Sequence, residues 1–235
     1  MNGAISCRAL LFDLDGTLVD SAQDLWRTLN HLLAAKGLER VPLERVRHLV
    51  GHGARALLAR GVHGEKAVPP SHDPEFETDV QQFLAYYQDH LTDHTRPFPG
   101  VPETLRALAG QGFSMAVVTN KIESFSRTIL EQLGLAELFP VVVGGDTLPW
   151  RKPDPQPLLH ALEQLGVPPG EGVMIGDSET DFQAARNARL PVILCSWGYN
   201  RGEDVGALHP DHVVDRFGQL PGFLYLSRET RITSS

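Results

Sequence analysis

Cysteine is nearly absent from the chain. Only Cys7 and Cys195 occur in 235 residues, without metal-ligand spacing and without the number a disulfide framework needs. They read as small buried hydrophobes in a reducing compartment. No run of 18 apolar residues occurs, so no membrane span is expected. The N-terminus lacks a basic segment followed by an apolar stretch and a small-residue cleavage site, so no secretory signal is expected either. Positive charge is the scarcer sign, with 21 Lys and Arg against 29 Asp and Glu and a formal net charge of −8. The basic residues are scattered, and no basic stripe carries interleaved aromatics, which argues against a nucleic-acid partner. These absences leave a cytoplasmic protein with a small-molecule partner as the simplest expectation; they say nothing of oligomeric state.

What is present is ordinary for a globular protein: 42% apolar and 21% charged residues, enough to bury a core in one large domain or in a core carrying an insertion. Residues 8–14 (RALLFDL) form a short run apolar on both faces, as a buried parallel strand requires. Residues 113–119, 141–143, 172–176 and 191–195 form four more. Helical patterns at residues 102–109, 123–133, 155–165 and 180–188 separate them, with Gly134 and Gly166 placed as helix-terminating glycines. Strand alternating with helix predicts an α/β fold, a Rossmann-like doubly wound parallel sheet.

One segment breaks the alternation. Residues 21–95 contain helical patterns only. Leu25, Leu29, Leu32 and Leu33 form one stripe, Leu43, Val46, Leu49 and Val50 begin a second, and Phe76, Val80, Phe83, Leu84 and Tyr87 mark a third over residues 75–91. The prediction is a helical cap domain at residues 21–95 inserted into a core of residues 1–20 and 96–235. The polar tail at residues 227–235 is expected to fray.

Ligands in open parallel sheets bind at the carboxyl ends of the strands, and three predicted strand ends carry polar residues. FDLDGT, residues 12–17, sets Asp13 and Asp15 two residues apart. They are either turn or cap aspartates, or carboxylates that share a cation to relieve their repulsion. Gly16 permits a sharp turn that points N–H groups at a phosphate. VVTNK, residues 117–121, offers Thr119 and Asn120 as donors to an anionic oxygen or as ordinary turn residues. Lys152 in RKPDP and GDSETD at residues 176–181 form the third. Asp177 ends a strand and Asp181 follows one helical turn later, as a helix cap or beside a metal. An acidic protein acting on an anionic substrate needs positive charge from elsewhere, and a divalent cation brings it.

Together these residues resemble the four ordered motifs of the haloacid dehalogenase superfamily of phosphohydrolases: DLDGT at Asp13, the strand-end Thr119, Lys152, and the acidic GDSETD. The resemblance spans the whole chain. It implies a Rossmann-like core with a helical cap inserted after the first motif. It also implies a Mg2+-dependent phosphomonoesterase for a small-molecule phosphate ester. Asp13 would be the nucleophile, forming an aspartyl-phosphate. Asp15 would be the general acid and base, needing to hold a proton near neutrality. Mg2+ would be bound by the Asp13 carboxylate, the Asp15 carbonyl and Asp177, with Asp181 positioning that shell or pairing with Lys152. Gly16, Thr119, Asn120 and Lys152 would hold the phosphoryl group. Superfamily members that cleave carbon–halogen bonds lack the second aspartate, so Asp15 points to phosphate esters.

RVRHLVGHGARALLARGV from Arg45, VVGGDTLPWRKPDPQPLL from Val141 and WGYNRGE from Trp197 resemble the phosphoglycolate phosphatase branch, which implies 2-phosphoglycolate as substrate. Relatives often carry Gly-Asn-Gly where this chain has Gly51-His52-Gly53. The substrate carboxylate needs a donor, which backbone N–H groups near Gly51 and Gly53, Arg55 or Arg60 could supply; His52 could be a loop donor or a substrate contact. The alternatives are a phosphatase for a sugar phosphate or nucleotide, a sugar-phosphate mutase, and a non-catalytic phosphometabolite-binding protein. The remaining histidines show no zinc-ligand spacing.

Overall fold

The computed structural model describes residues 3–64, 67–70, 72–200 and 202–227. The tail expected to fray lies outside them from residue 228 onward. The chain opens with β1 (Ile5–Cys7) and β2 (Ala9–Phe12). After β3 (Val19–Asp20) come four helices, α1 (Ala22–Ala35), α2 (Leu43–Arg47), α3 (Ala54–His63) and α4 (Pro74–Asp89). β4 (Arg96–Pro97) brings the chain back, and α5 (Val101–Gly110), β5 (Ser114–Val118), α6 (Glu123–Gln132) and β6 (Val141–Val143) follow. Then come α7 (Gln156–Gln164), β7 (Gly172–Gly176), α8 (Glu179–Asn187) and β8 (Val192–Cys195), with β9 (His212–Val214) and β10 (Leu224–Leu226) last.

Six strands form one parallel sheet in the order β6-β5-β2-β7-β8-β9. Alternation along β2 explains why it is apolar throughout: Leu10 and Phe12 enter one core, Ala9 and Leu11 the other. Val101, Leu105 and Leu108 of α5 and Ile129 and Leu130 of α6 cover the first face. Leu158, Ala161 and Leu162 of α7 and Ala184 and Ala185 of α8 cover the second. Both faces are therefore dry, as a doubly wound sheet demands. The chain leaves β2 for β5 on one side and β7 on the other, so β2 lies at the switch point where ligands bind.

The helical insertion stands on a stem of two antiparallel residue pairs, Val19 with Pro97 and Asp20 with Arg96. α1 buries Leu25, Leu29, Leu32 and Leu33, and α4 buries Phe76, Val80, Phe83 and Tyr87. Asp73 caps α4 by accepting from Glu75 and Phe76 N–H, and Pro74 occupies its first turn, where no N–H is missed. The second apolar stripe resolves into two helices rather than one. Gly51 and Gly53 sit at φ +114° and +84°, outside helical geometry, and the chain turns between α2 and α3 there. β9, and the pair formed by β1 and β10, had no strand pattern in the sequence long enough to read. Both cysteines are fully buried and unpaired; burial pushes the Cys7 thiol up to about 12 and also raises Cys195, so neither is reactive.

Candidate active site

The three central strands end side by side. Asp13 follows β2, Thr119, Asn120 and Lys121 follow β5, and Asp177 follows β7. Asp13 N–H donates to Ile175 O at 2.9 Å, which fixes Asp13 beside β7. Lys152 Nζ donates to Asp13 Oδ1 at 2.8 Å and to Asp181 Oδ1 at 2.6 Å, with 2% of its side chain exposed. Asp181 Oδ2 accepts from the N–H groups of Asp177 and Ser178 and from Ser178 Oγ. That reciprocal box caps α8 and at the same time aims the other carboxylate oxygen at Lys152. Asp181 therefore caps α8 with one oxygen and pairs with Lys152 through the other.

Asp177 is held by neutral donors, Thr17 Oγ1 at 2.8 Å and Tyr199 N–H at 2.6 Å. Oxygens of Asp13, Asp177 and Asp181 lie within 4.8 Å of one another, all three residues buried. Burial pushes Asp13 up to about 6, opposed by Lys152 and reinforced by the charge of Asp181. Burial, then the charges of Asp181 and Asp13, also raises Asp177 well above the usual carboxylate range. One ammonium among three buried carboxylates leaves two negative charges unbalanced. A divalent cation is the ion that offsets them, and an all-oxygen donor set suits a hard one. Gly16 is required beside it twice over. Its φ is +90°, and a Cβ there would lie 2.4 Å from Asp177 Oδ2.

Asp15 has partners the sequence did not disclose. Lys121 Nζ donates to Asp15 Oδ1 at 3.0 Å and Oδ2 at 2.9 Å, and Ser21 Oγ donates to Oδ1. Burial opposes the Lys121 charge, but the neighbouring Asp15 carboxylate outweighs it and raises the ammonium above its usual range. The same ammonium lies 4.7 Å from the Tyr87 ring centroid, a cation–π contact from core to cap. Thr119 is 4% exposed, and its Oγ1 accepts from Lys121 N–H. Asn120 Nδ2 donates to Gly51 O at 3.1 Å and Lys152 O at 3.0 Å, so it ties the loop before α3 to the core.

A cavity of about 50 Å3 lies above Asp13 and Asp15. Leu25, Val50, Leu57, Leu84 and Tyr87 form its cap side, and Thr119, Asn120 and Lys121 stand with the aspartates on its core side. That is room for a few waters, a size for a small guest. The cap arginines proposed from the sequence are not on its wall. Arg55 donates to both Glu77 oxygens at 2.6 and 2.7 Å and covers the Phe76 ring; Arg60 does not line it either. His52 lines a separate groove with Ser178 and Asn200.

The profile of the haloacid dehalogenase-like hydrolase family matches residues 10–195, which include every one of these acidic and basic groups. The chain belongs to that family. Among curated haloacid dehalogenase-like relatives, the phosphoglycolate phosphatase of Thiobacillus denitrificans is 43% identical over 208 residues, covering 88% of this chain and 91% of that one. The enzyme of the same name from Agrobacterium fabrum is 41% identical over 92% of this chain and 91% of its own length. The crystal structure of a predicted phosphoglycolate phosphatase from Haemophilus somnus superposes with a TM-score of 0.85 at 35% identity, covering 94% of this chain and 99% of that one.

Within this hydrolase fold, Tyr199 is a further residue that motif reasoning passed over. Its N–H holds Asp177, while its hydroxyl accepts from the N–H groups of Ser21 and Ala22 and donates to Asp20 Oδ1 at 2.7 Å. Arg47 of α2 completes the link by donating to Asp20 Oδ2 at 2.7 Å. Burial works against the Asp20 charge, but Tyr199 and Arg47 hold its carboxyl below the usual range. The only sequence signal was the WGYN stretch, which did not say what the tyrosine touches.

Proposed function

We propose that this protein is a Mg2+-dependent phosphomonoesterase that hydrolyses 2-phosphoglycolate to glycolate and phosphate through an aspartyl-phosphate on Asp13. The observation that carries it is the buried group of Asp13, Asp177 and Asp181 around Lys152, with Asp15 beside it facing a small cavity. Lys152 occupies Asp13 Oδ1 and leaves Oδ2 to attack phosphorus. The ester P–O bond breaks as the Asp13–P bond forms, and the departing alkoxide takes a proton from the Asp15 carboxyl group. Asp15 then removes a proton from the water that displaces Asp13 and releases phosphate. Thr119 Oγ1 and the Lys152 ammonium balance charge on the phosphoryl oxygens, and the Gly16 turn brings backbone N–H groups close. The Asp13 carboxylate, the Asp15 carbonyl and Asp177 would hold Mg2+, which supplies positive charge to the phosphoryl group and the carboxylates around it.

The names of the curated relatives support the substrate, and the cavity supports a small one. The insertion, residues 21–95, acts as a cap that opens on its β3–β4 stem to admit substrate and closes to exclude water. The test is a panel of phosphate esters with Mg2+, including 2-phosphoglycolate, sugar phosphates and nucleotides, compared by kcat/KM. The expected result is preference for 2-phosphoglycolate of at least about 100-fold, the range a few well-placed polar contacts supply. A sugar phosphate or nucleotide turned over faster would overturn the substrate assignment.

A further inference from the structure

We propose that Lys121, assisted by the Tyr87 hydroxyl, is the specificity-determining pair that takes a carboxylate one carbon from the ester oxygen of the substrate. The inference rests on the proposed phosphatase reaction and names what selects its substrate.

Among the described residues lining the cavity, Lys121 is the one cation. Every cap side chain on that wall is apolar except Tyr87. Of the cap arginines that the sequence offered, Arg55 is committed to Glu77 and Arg60 does not line the cavity, while Arg47 of α2 is held by Asp20. Lys152 is enclosed between Asp13 and Asp181. A second anionic group on a guest therefore has one positive partner within reach.

Two donors at this end of the cavity have capacity to spare. Tyr87 Oη is buried beside the Lys121 ammonium, with no acceptor for its own proton, and burial pushes its phenol up to about 12, so it is a proton donor. An ammonium has three N–H groups. Lys121 directs hydrogen bonds at the two Asp15 oxygens, and its remaining N–H faces Tyr87, ring and hydroxyl oxygen together, a weaker acceptor that a carboxylate would displace. A buried hydroxyl without an acceptor costs about 1–3 kcal/mol, and a carboxylate guest would supply the acceptor.

The spacing defines the ligand further. The ester oxygen that receives a proton from Asp15 must lie within hydrogen-bond distance of its carboxyl group. Lys121 Nζ is itself 2.9 Å from that group. A carboxylate on the next carbon falls within reach of the ammonium, whereas Leu57, Leu84 and Phe125 on the rest of the wall are apolar and offer no cation to one carried further along the chain. The chemical class selected is the phosphate ester of a 2-hydroxy acid. The pairing also explains how an acidic site accepts a guest with a phosphate and a carboxylate: Lys121 offsets the second charge.

The experiment compares kcat/KM on three esters: 2-phosphoglycolate, ethyl phosphate, which lacks the carboxylate, and the phosphate ester of 3-hydroxypropanoate, which carries it one carbon further. Wild-type enzyme should prefer 2-phosphoglycolate to both. Lys121→Met should reduce that preference over ethyl phosphate about 100-fold, Lys121→Arg should retain most of it, and Tyr87→Phe should reduce it about 10-fold. Turnover of ethyl phosphate reports that each variant is folded, and any general effect of losing the partner of Asp15 appears there and cancels in the ratio. If Lys121→Met lowers both substrates equally, or keeps the preference, the assignment of Lys121 is overturned while the phosphatase reading stands. If the wild type itself shows no preference for 2-phosphoglycolate over ethyl phosphate, both fall.

Discussion

A carboxylate that attacks phosphorus must be ionised, yet Asp13 is set where ionisation is costly. Burial, against the pull of Lys152 and with the push of Asp181, moves it from 3.8 to about 6. The folded value lies above the unfolded one, so the stability this group contributes is full below about pH 4 and is lost as pH rises through about 6. In protein freed of metal, Asp13→Asn should therefore raise the melting temperature at pH 7.5 by about 3–6 °C, and by much less at pH 4.5. Thermal scans at the two pH values check this; an equal change at both would show that Asp13 is not strained by its charge. The same variant should lose turnover by about 10^4-fold or more, because no other group reaches phosphorus from that position. Asp13, Asp15, Thr119, Lys152, Asp177 and Asp181 were legible because their spacing matched an ordered set of motifs. Lys121 was not, although it stands in the same five-residue stretch as Thr119. A lysine after a strand reads as an ordinary solvated turn residue, and only the fold shows it beneath Tyr87 and against Asp15.

At the level of elements, the proposed cap opening would act at the β3–β4 stem, and one residue joins that stem to the acidic site. Tyr199 offers its hydroxyl to Ser21 N–H and Ala22 N–H at the start of α1 while its own N–H holds Asp177. Ser21 gives no side-chain cap to that helix, so the tyrosine takes the place of the cap. Tyr199→Phe should lower stability by about 1–3 kcal/mol in urea denaturation, because the buried Ser21 N–H loses its acceptor and Ala22 N–H keeps only Asp20 Oδ1 at 3.2 Å. It should leave the Mg2+ concentration needed for half-maximal activity nearly unchanged, since the contact to Asp177 is made by backbone. A large rise in that concentration would mean that the hydroxyl, not the main chain, orders the acidic site. Gly53 is a second joint: its φ is +84°, and a Cβ there would lie 3.2 Å from Asn120 O. The long apolar runs β2, β5 and β7 and the leucine stripe of α1 were legible, each spanning several periods. The break between α2 and α3 was harder to read, because Val46, Leu49 and Val50 are all buried and carry the stripe beyond the end of α2 at Arg47 up to Gly51.

For the whole molecule, the proposed reaction assigns chemistry to the sheet and choice to the insertion, and Asn120, Lys121 and Tyr199 make contacts between the two. The alternating order of strands and helices was enough to infer the doubly wound core, since every sheet strand from β2 to β8 is separated by a helix-bearing connection. The edge strand β9 was not legible, because HVV is short, opens on a histidine and lies between Asp211 and Asp215, whereas the equally short β6 is three valines. Nor was the content of the cavity wall, which depends on how a helical bundle docks over strand ends distant in sequence. No described helix is long and apolar enough to cross a membrane. The unbalanced acidic cluster predicts that Mg2+ raises the melting temperature of the metal-free protein, by an increment that grows with concentration. It also predicts that chelation removes activity reversibly. A protein equally stable and active in chelator would contradict a divalent site at Asp13 and Asp177.

The most direct test of the account is the covalent intermediate. In Asp15→Ala, an activated aryl phosphate needs no acid to lose its phenolate, but the water that clears the phosphoenzyme lacks its base. With Mg2+ present, this variant should release close to one equivalent of phenolate per chain rapidly and then slow sharply. Phosphate should be found by mass spectrometry on Asp13. Release of phenolate and phosphate together, with no phosphate on Asp13 at any time, would contradict a reaction that passes through this residue.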